Sequence, residues 1–201
     1  MIRIITALFV AALISQPALA DDSKDKNFAQ YSVTGAFSLF GPAGSFGYNA
    51  SRKTSYVFAG GVFSGEAPMK IDIDGNEFTA DGSASWMGVF VNHRPIDSAE
   101  WFRLVAGLGI GNIDNDLKDD AGNVYNITYN ENPVAYLGLG FGVEAKKGFL
   151  WGFDLGLLQT AGPTITRTAA GTGDDQTEAI GDHWMFGTIQ FNVQLSLGWG
   201  F

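Results

Sequence analysis

The clearest regularity in this chain is an alternation, every second residue, of apolar side chains with small or polar ones. It is cleanest at the C-terminus. Ile189, Phe191, Val193, Leu195, Leu197, Trp199 and Phe201 fall on one side, and Gln190, Asn192, Gln194, Ser196, Gly198 and Gly200 on the other. Successive side chains of a strand point to opposite faces, so this segment reads as a strand with one apolar and one small polar face. A helix would scatter both sets around its circumference. The same alternation recurs upstream. Leu137, Leu139, Phe141 and Val143 oppose Gly138, Gly140, Gly142 and Glu144, and Phe149, Trp151, Phe153 and Leu155 oppose Leu150, Gly152, Asp154 and Gly156. Phe102, Leu104, Ala106, Leu108 and Ile110 oppose Arg103, Val105, Gly107, Gly109 and Gly111; Tyr31, Val33, Phe37 and Leu39 oppose Ser32, Thr34, Ala36 and Ser38. The runs at 56–63 and 86–92 are apolar on both sides and leave their facing open.

These segments amount to about eight strands, at 28–40, 44–51, 55–71, 82–93, 101–112, 133–144, 149–160 and 186–201, and eight is the smallest count on which single-chain membrane barrels are built. Connections alternate in length. Those at 52–54, 94–100 and 145–148 are short, while 73–81, 113–132 and 161–185 are long, rich in Gly, Asp, Asn and Thr, and read as loops. The connection near Gly41-Pro42-Ala43 is a short exception. Short turns on one rim and long loops on the other imply periplasmic turns, extracellular loops and, with an even strand count, both termini periplasmic.

Alternation by itself also suits a soluble lipocalin-like barrel with apolar residues inside. Volume separates the two. An eight-stranded barrel has an interior just wide enough for side chains to fill, and rows such as Phe149-Trp151-Phe153 are too bulky to share it. Rows of glycine, serine and threonine fit. The apolar rows then face outward, where water does not tolerate them over such areas and lipid does. The expected fold is all-β: an eight-stranded antiparallel transmembrane β-barrel of outer-membrane type. Trp151 and Trp199 fall on apolar faces where an aromatic girdle belongs; parity puts Trp86, Trp101 and Trp184 on the glycine side, packed into the barrel mouths.

The N-terminus carries an address. Arg3 precedes an apolar run from Ile4 to Ile14, and Ala18-Leu19-Ala20 forms an A-x-A cleavage site. The apolar run is shorter than the roughly 20 residues of a spanning helix, so residues 1–20 read as a signal peptide, cut after Ala20, and 21–201 as the barrel domain; a retained anchor is the alternative. Cysteine is absent, which removes disulfides, thiolate metal sites and lipidated cysteine. The formal net charge of −9 argues against a nucleic-acid partner, which needs a basic footprint. Glycine, at 27 residues, exceeds ordinary usage of about 7% without any G-X-Y period.

Leu197, Trp199 and the terminal Phe201, at two-residue steps, resemble the C-terminal signal read by the barrel-assembly machinery of bacterial outer-membrane proteins. Tyr136 to Val143, Lys146 to Leu158 and Gly162 to Thr166, with weaker echoes at Ile73 to Ala80 and Phe102 to Leu108, resemble small, mostly uncharacterised proteobacterial outer-membrane proteins grouped with OmpA-, OmpX- and OmpW-like, porin-family barrels. The resemblance implies fold and location in a Gram-negative cell envelope, with outer-membrane lipids and lipopolysaccharide as surroundings. It implies no activity.

Three charges fall on lumen-facing rows: Arg103, Glu144 and Asp154. An unpaired charge in a narrow lumen is costly, so a network joining Arg103 to one or both acids is expected, filling the barrel; a gated polar pore is the other reading. Asp114, Asp116, Asp119 and Asp120 lack the order of an EF-hand, as does the fragment Asp72-Ile73-Asp74-Gly75, and they read as solvated loop. Enzymes on this architecture need a base, and only His93 and His183 exist. His93 has no serine two residues on. His183 follows Asp182 beside Trp184 with no evident nucleophile, so no catalytic residue, cofactor or metal ligand is assigned. The expectation is a monomeric, non-enzymatic barrel with a structural or surface-interaction role. A small channel for ions or hydrophobic molecules is the alternative, and a lipid-modifying enzyme using His183 a more remote one.

Overall fold

The computed structural model describes residues 25–65, 69–130, 133–143 and 145–201; the expected cleavage site, Ala18 and Ala20, and the lumen candidate Glu144 lie outside them. Among the described residues, eleven strands form one sheet. They are β1 (Tyr31–Ser38), β2 (Gly41–Asn49), β3 (Thr54–Ser64), β4 (Met69–Ile73), β5 (Asn76–His93), β6 (Phe102–Asp119), β7 (Val124–Tyr129), β8 (Val134–Gly142), β9 (Gly148–Gln159), β10 (Thr164–Ala169) and β11 (Ile189–Gly200). One short helix, α1 (Thr177–Asp182), precedes β11.

Eight of the strands close a ring in the order β1-β2-β3-β5-β6-β8-β9-β11, all neighbours antiparallel. The closing seam pairs β1 with β11 from Ser32↔Gly200 to Ser38↔Gln194. Phe201 extends it: Tyr31 and Phe201 exchange both backbone hydrogen bonds at 2.9 Å, and their rings lie 6.2 Å apart. Closure leaves the ring without an open edge, which lipid requires because it offers no partner for a backbone N–H or C=O.

Side-chain facing follows the alternation. Phe37, Phe191 and Trp199 are 68%, 58% and 59% exposed, whereas Gly152, Asp154 and Asn192 are buried. The two ambiguous runs resolve the same way: Tyr56, Phe58, Val62, Met87 and Val89 point out, and Val57, Ala59, Trp86, Phe90 and Asn92 line the lumen. Trp101 and Trp184 differ from the parity expectation. Trp101 is 57% exposed and stacks on the outward Phe141 at 5.9 Å; Trp184 is 65% exposed and meets the outward Phe191 edge-on at 6.5 Å. Both precede their strands, and strand parity does not carry through the turn before it.

The rim that holds the C-terminus has short connections tied by polar contacts. Buried Arg94 links two of them, its Nε donating to the Glu100 carbonyl and its Nη2 to that of Val143, each at 2.8 Å. The far rim departs from the loop expectation. β5 and β6 each run for 18 residues. At about 3.3 Å per residue and a tilt of about 40°, each rises about 45 Å along the axis, against an apolar band of about 25 Å. The protruding halves would present open edges; β4 pairs with β5, β7 with β6 and β10 with β7, making a five-stranded sheet in the order β4-β5-β6-β7-β10. One face of this sheet packs a core of Ile71, Ile73, Phe78, Leu117, Tyr125, Ile127 and Tyr129 beneath Ile180 of α1 and Phe186.

Candidate functional site

Two regions carry the protein's polar chemistry, the lumen and the far-rim sheet. In the lumen, Arg103 on β6 and Asp154 on β9 are both register partners of Gly140 on the strand between them. With no side chain at Gly140, the ion pair passes over it. Arg103 Nη2 donates to both Asp154 oxygens at 2.8 Å, and the two side chains are only 11% and 8% exposed. A methyl group added at Gly140 would collide with Asp154 and Arg103, and one at Gly152 would lie 2.8 Å from Arg103 Nη2.

Aromatic side chains use the same device. Phe90, Gly107 and Tyr136 lie in one register row. Phe90 occupies the space over Gly107, Tyr136 that over Gly138 and Gly156, and Trp86 that over Gly111. Phe90 and Tyr136 meet edge to face at 5.6 Å, and Trp86 meets Phe90 at 6.4 Å. The glycine excess of β6, β8 and β9 is therefore the room taken by large inward groups on neighbouring strands. The wall made by β1, β2 and β3 presents small groups instead, among them Ser32, Thr34, Ser45, Ser55 and Ala59, with Thr34 Oγ1 and Ser45 Oγ 2.6 Å apart. Between that wall and the aromatic column lies a cavity of about 220 Å³.

Beyond the far rim, the stretches 69–81, 114–130 and 160–188 hold twelve Asp and Glu residues against Lys70, Lys118 and Arg167. Several acids have structural partners. Asp119 Oδ1 and Oδ2 accept from Asn123 N and Nδ2 at 2.8 and 2.6 Å, closing the β6–β7 turn. Asn123 Oδ1 in turn accepts from Gly171 N at 2.6 Å and from Arg167 Nη2, fastening the connection after β10. Asn126 Nδ2 donates to Asp114 and Asp116 at 2.7 and 3.0 Å. Asp72 Oδ1 accepts from Gly75 N at 3.1 Å in the β4–β5 hairpin, where Asp74 and Gly75 take φ of 51° and 83°. Among the described residues no three His, Cys, Asp or Glu side chains converge to hold a metal ion. Outside the barrel wall, Lys70 Nζ meets Glu77 Oε1 at 2.5 Å, and that carboxylate raises the amine's pKa above its ordinary value.

The histidines are held by other contacts. His93 Nδ1 lies 3.0 Å from Thr54 Oγ1 at the rim that holds the C-terminus. His183 lies against the rings of Trp184 and Phe186, and its Nδ1 accepts from Met185 N at 3.4 Å. Sequence reasoning passed over Arg94, the aromatic column and Asn123. A signal existed for the hairpin: Asp74-Gly75 between Ile71, Ile73 and Phe78, Ala80 is the pattern of a two-residue type I′ turn.

The closed ring, the outward apolar belt and the seam sealed by Phe201 can be set beside solved structures. CarO of Acinetobacter baumannii superposes with a TM-score of 0.62 at 16% identity, over 86% of this chain and 98% of that one. CarO2 of the same organism gives 0.65 at 14%, over 88% and 100%. The fold is that of an outer-membrane β-barrel. At these identities the likeness speaks to fold alone. No family model and no curated protein matches the sequence.

Proposed function

We propose that this protein is an outer-membrane barrel whose role is to hold an ordered, acidic β-sheet at the cell surface. The observation that carries the reading is the length of β5 and β6, 18 residues each, together with the buried core their outer halves build with β4, β7, β10 and α1. Flexible loops would need no such core. A lumen narrowed by the buried Arg103–Asp154 pair and the aromatic column favours an anchor over an ion channel, and among the described residues neither histidine has an acid partner of the kind that orients a general base. In this reading the chain is a monomer among outer-membrane lipids and lipopolysaccharide, both termini periplasmic, and Leu197, Trp199 and Phe201 are its signal to the barrel-assembly machinery.

The absence of cysteine makes the test clean. Thr168→Cys on β10 and Lys53→Cys on the opposite rim are exposed to a membrane-impermeant maleimide on intact cells. Thr168→Cys is expected to react and Lys53→Cys to stay unlabelled until the outer membrane is opened. The reverse pattern overturns the orientation, and stable single-channel openings of the purified protein in planar bilayers overturn the anchor reading.

A further inference from the structure

The lumen is filled unevenly. Large side chains project from β5, β6, β8 and β9, and small ones from β1, β2 and β3, leaving the cavity of about 220 Å³ between them. We propose that this cavity binds a neutral, single-ring aromatic molecule bearing a hydroxyl group, the phenol class. The inference does not depend on the surface-display role, since it uses only the barrel interior.

Size sets the first limit. A cavity of about 150 Å³ suffices for benzene, so this one holds one substituted ring and little more. The rings of Phe90 and Tyr136, already packed edge to face, offer the apolar wall that a further ring prefers. Polar atoms set the second limit. Asn192 is 7% exposed and lines the cavity with its amide turned to the Tyr136 hydroxyl, which leaves its Oδ1 without a hydrogen-bond partner. Trp86 Nε1 and Arg103 Nε, on residues of the same lining, are likewise unpartnered donors. The first atom asks for a donor and the others for an acceptor, and a hydroxyl can act as either. Buried polar groups without partners are costly, which makes such atoms a reason for a ligand to bind. Charge sets the third limit. Arg103 and Asp154 both stand on the lining and neutralise each other. An ionised ligand would therefore lose its hydration and gain no counter-charge from this pair. The wall is lowest at the β1–β2 hairpin, which turns at 39–40 while β5 and β6 continue past the rim. Extending the β1–β11 register beyond Ser38↔Gln194 sets Phe40, another lining residue, across from Asn192.

The test is fluorine NMR of para-fluorophenol with the refolded full-length mature chain in detergent, beside fluorobenzene and para-fluorobenzoate. Saturable binding of the phenol is expected for the native protein. Asn192→Leu is expected to weaken it about tenfold, as fits one buried hydrogen bond, and fluorobenzene to bind about tenfold more weakly than the phenol. Ala59→Phe, projecting into the cavity from β3, is expected to abolish binding, and Ser55→Leu serves the same end if that variant does not fold. An unheated gel band of altered mobility certifies the barrel in every sample. Equal signals from native and cavity-filled protein would mean micelle uptake only and would overturn the proposal. So would equal affinity for fluorobenzene, or tighter binding of the benzoate.

Discussion

Removing one member of the Arg103–Asp154 pair should cost far more than removing both. The two side chains are 11% and 8% exposed and joined by two 2.8 Å contacts through one guanidinium nitrogen. Arg103→Ala leaves the Asp154 carboxylate in a narrow lumen without its counter-ion, and breaking a buried pair in this way costs about 3–5 kcal/mol. Asp154→Ala strands the guanidinium at similar cost. The double variant Arg103→Met with Asp154→Leu refills the space without charge and should return to within about 1 kcal/mol of the native protein, because apolar replacements of buried pairs are often neutral or better. Gly140→Ala probes the same contact by volume. A Cβ there would collide with both partners, so a loss of about 1–3 kcal/mol is expected, shrinking when Arg103→Ala and Asp154→Ala have already freed the space. The assay is urea unfolding from phospholipid vesicles followed by tryptophan fluorescence, with the unheated gel band as a second probe. Single-variant penalties below about 0.5 kcal/mol, or penalties that simply add in the double variant, would refute the reasoning.

The far-rim sheet should melt apart from the barrel. Leu117→Ala, at a side chain with no exposure, should destabilise the sheet by about 2–5 kcal/mol and open the 114–130 region to protease while the barrel keeps its gel mobility; loss of both together would show one cooperative unit. Burial pushes the Tyr129 phenol from its ordinary 10.0 up to about 12. The unfolded chain therefore gives up this proton first, and stability should fall as pH rises from about 10 to 12, with no contribution from this group below that window. Ultraviolet tyrosinate titration of the native protein and Tyr129→Phe checks this: removal of a late-titrating tyrosine is expected, and an unchanged alkaline limb would refute it.

The sequence alone carried the barrel. Two-residue periodicity with a bulky and a small row leaves one workable arrangement, because the lumen of eight strands has no room for the bulky row, and the strands it marked near Phe102, Leu137, Phe149 and Ile189 are ring strands in the structure. Arg103 and Asp154 were legible for the same reason, since parity alone puts an inward charge on a glycine row. What lay out of reach depends on neighbours distant in sequence. That Gly140 stands between Arg103 and Asp154, or Gly107 between Phe90 and Tyr136, follows from strand register. Register is a property of paired strands and not of any one segment. The stretches 113–132 and 161–185 read as loops because their apolar residues are few and interrupted. They become strands only because β5 and β6 outrun the rim and offer edges to pair with, and because Leu117, Tyr125, Ile127 and Ile180 bury one another once brought together.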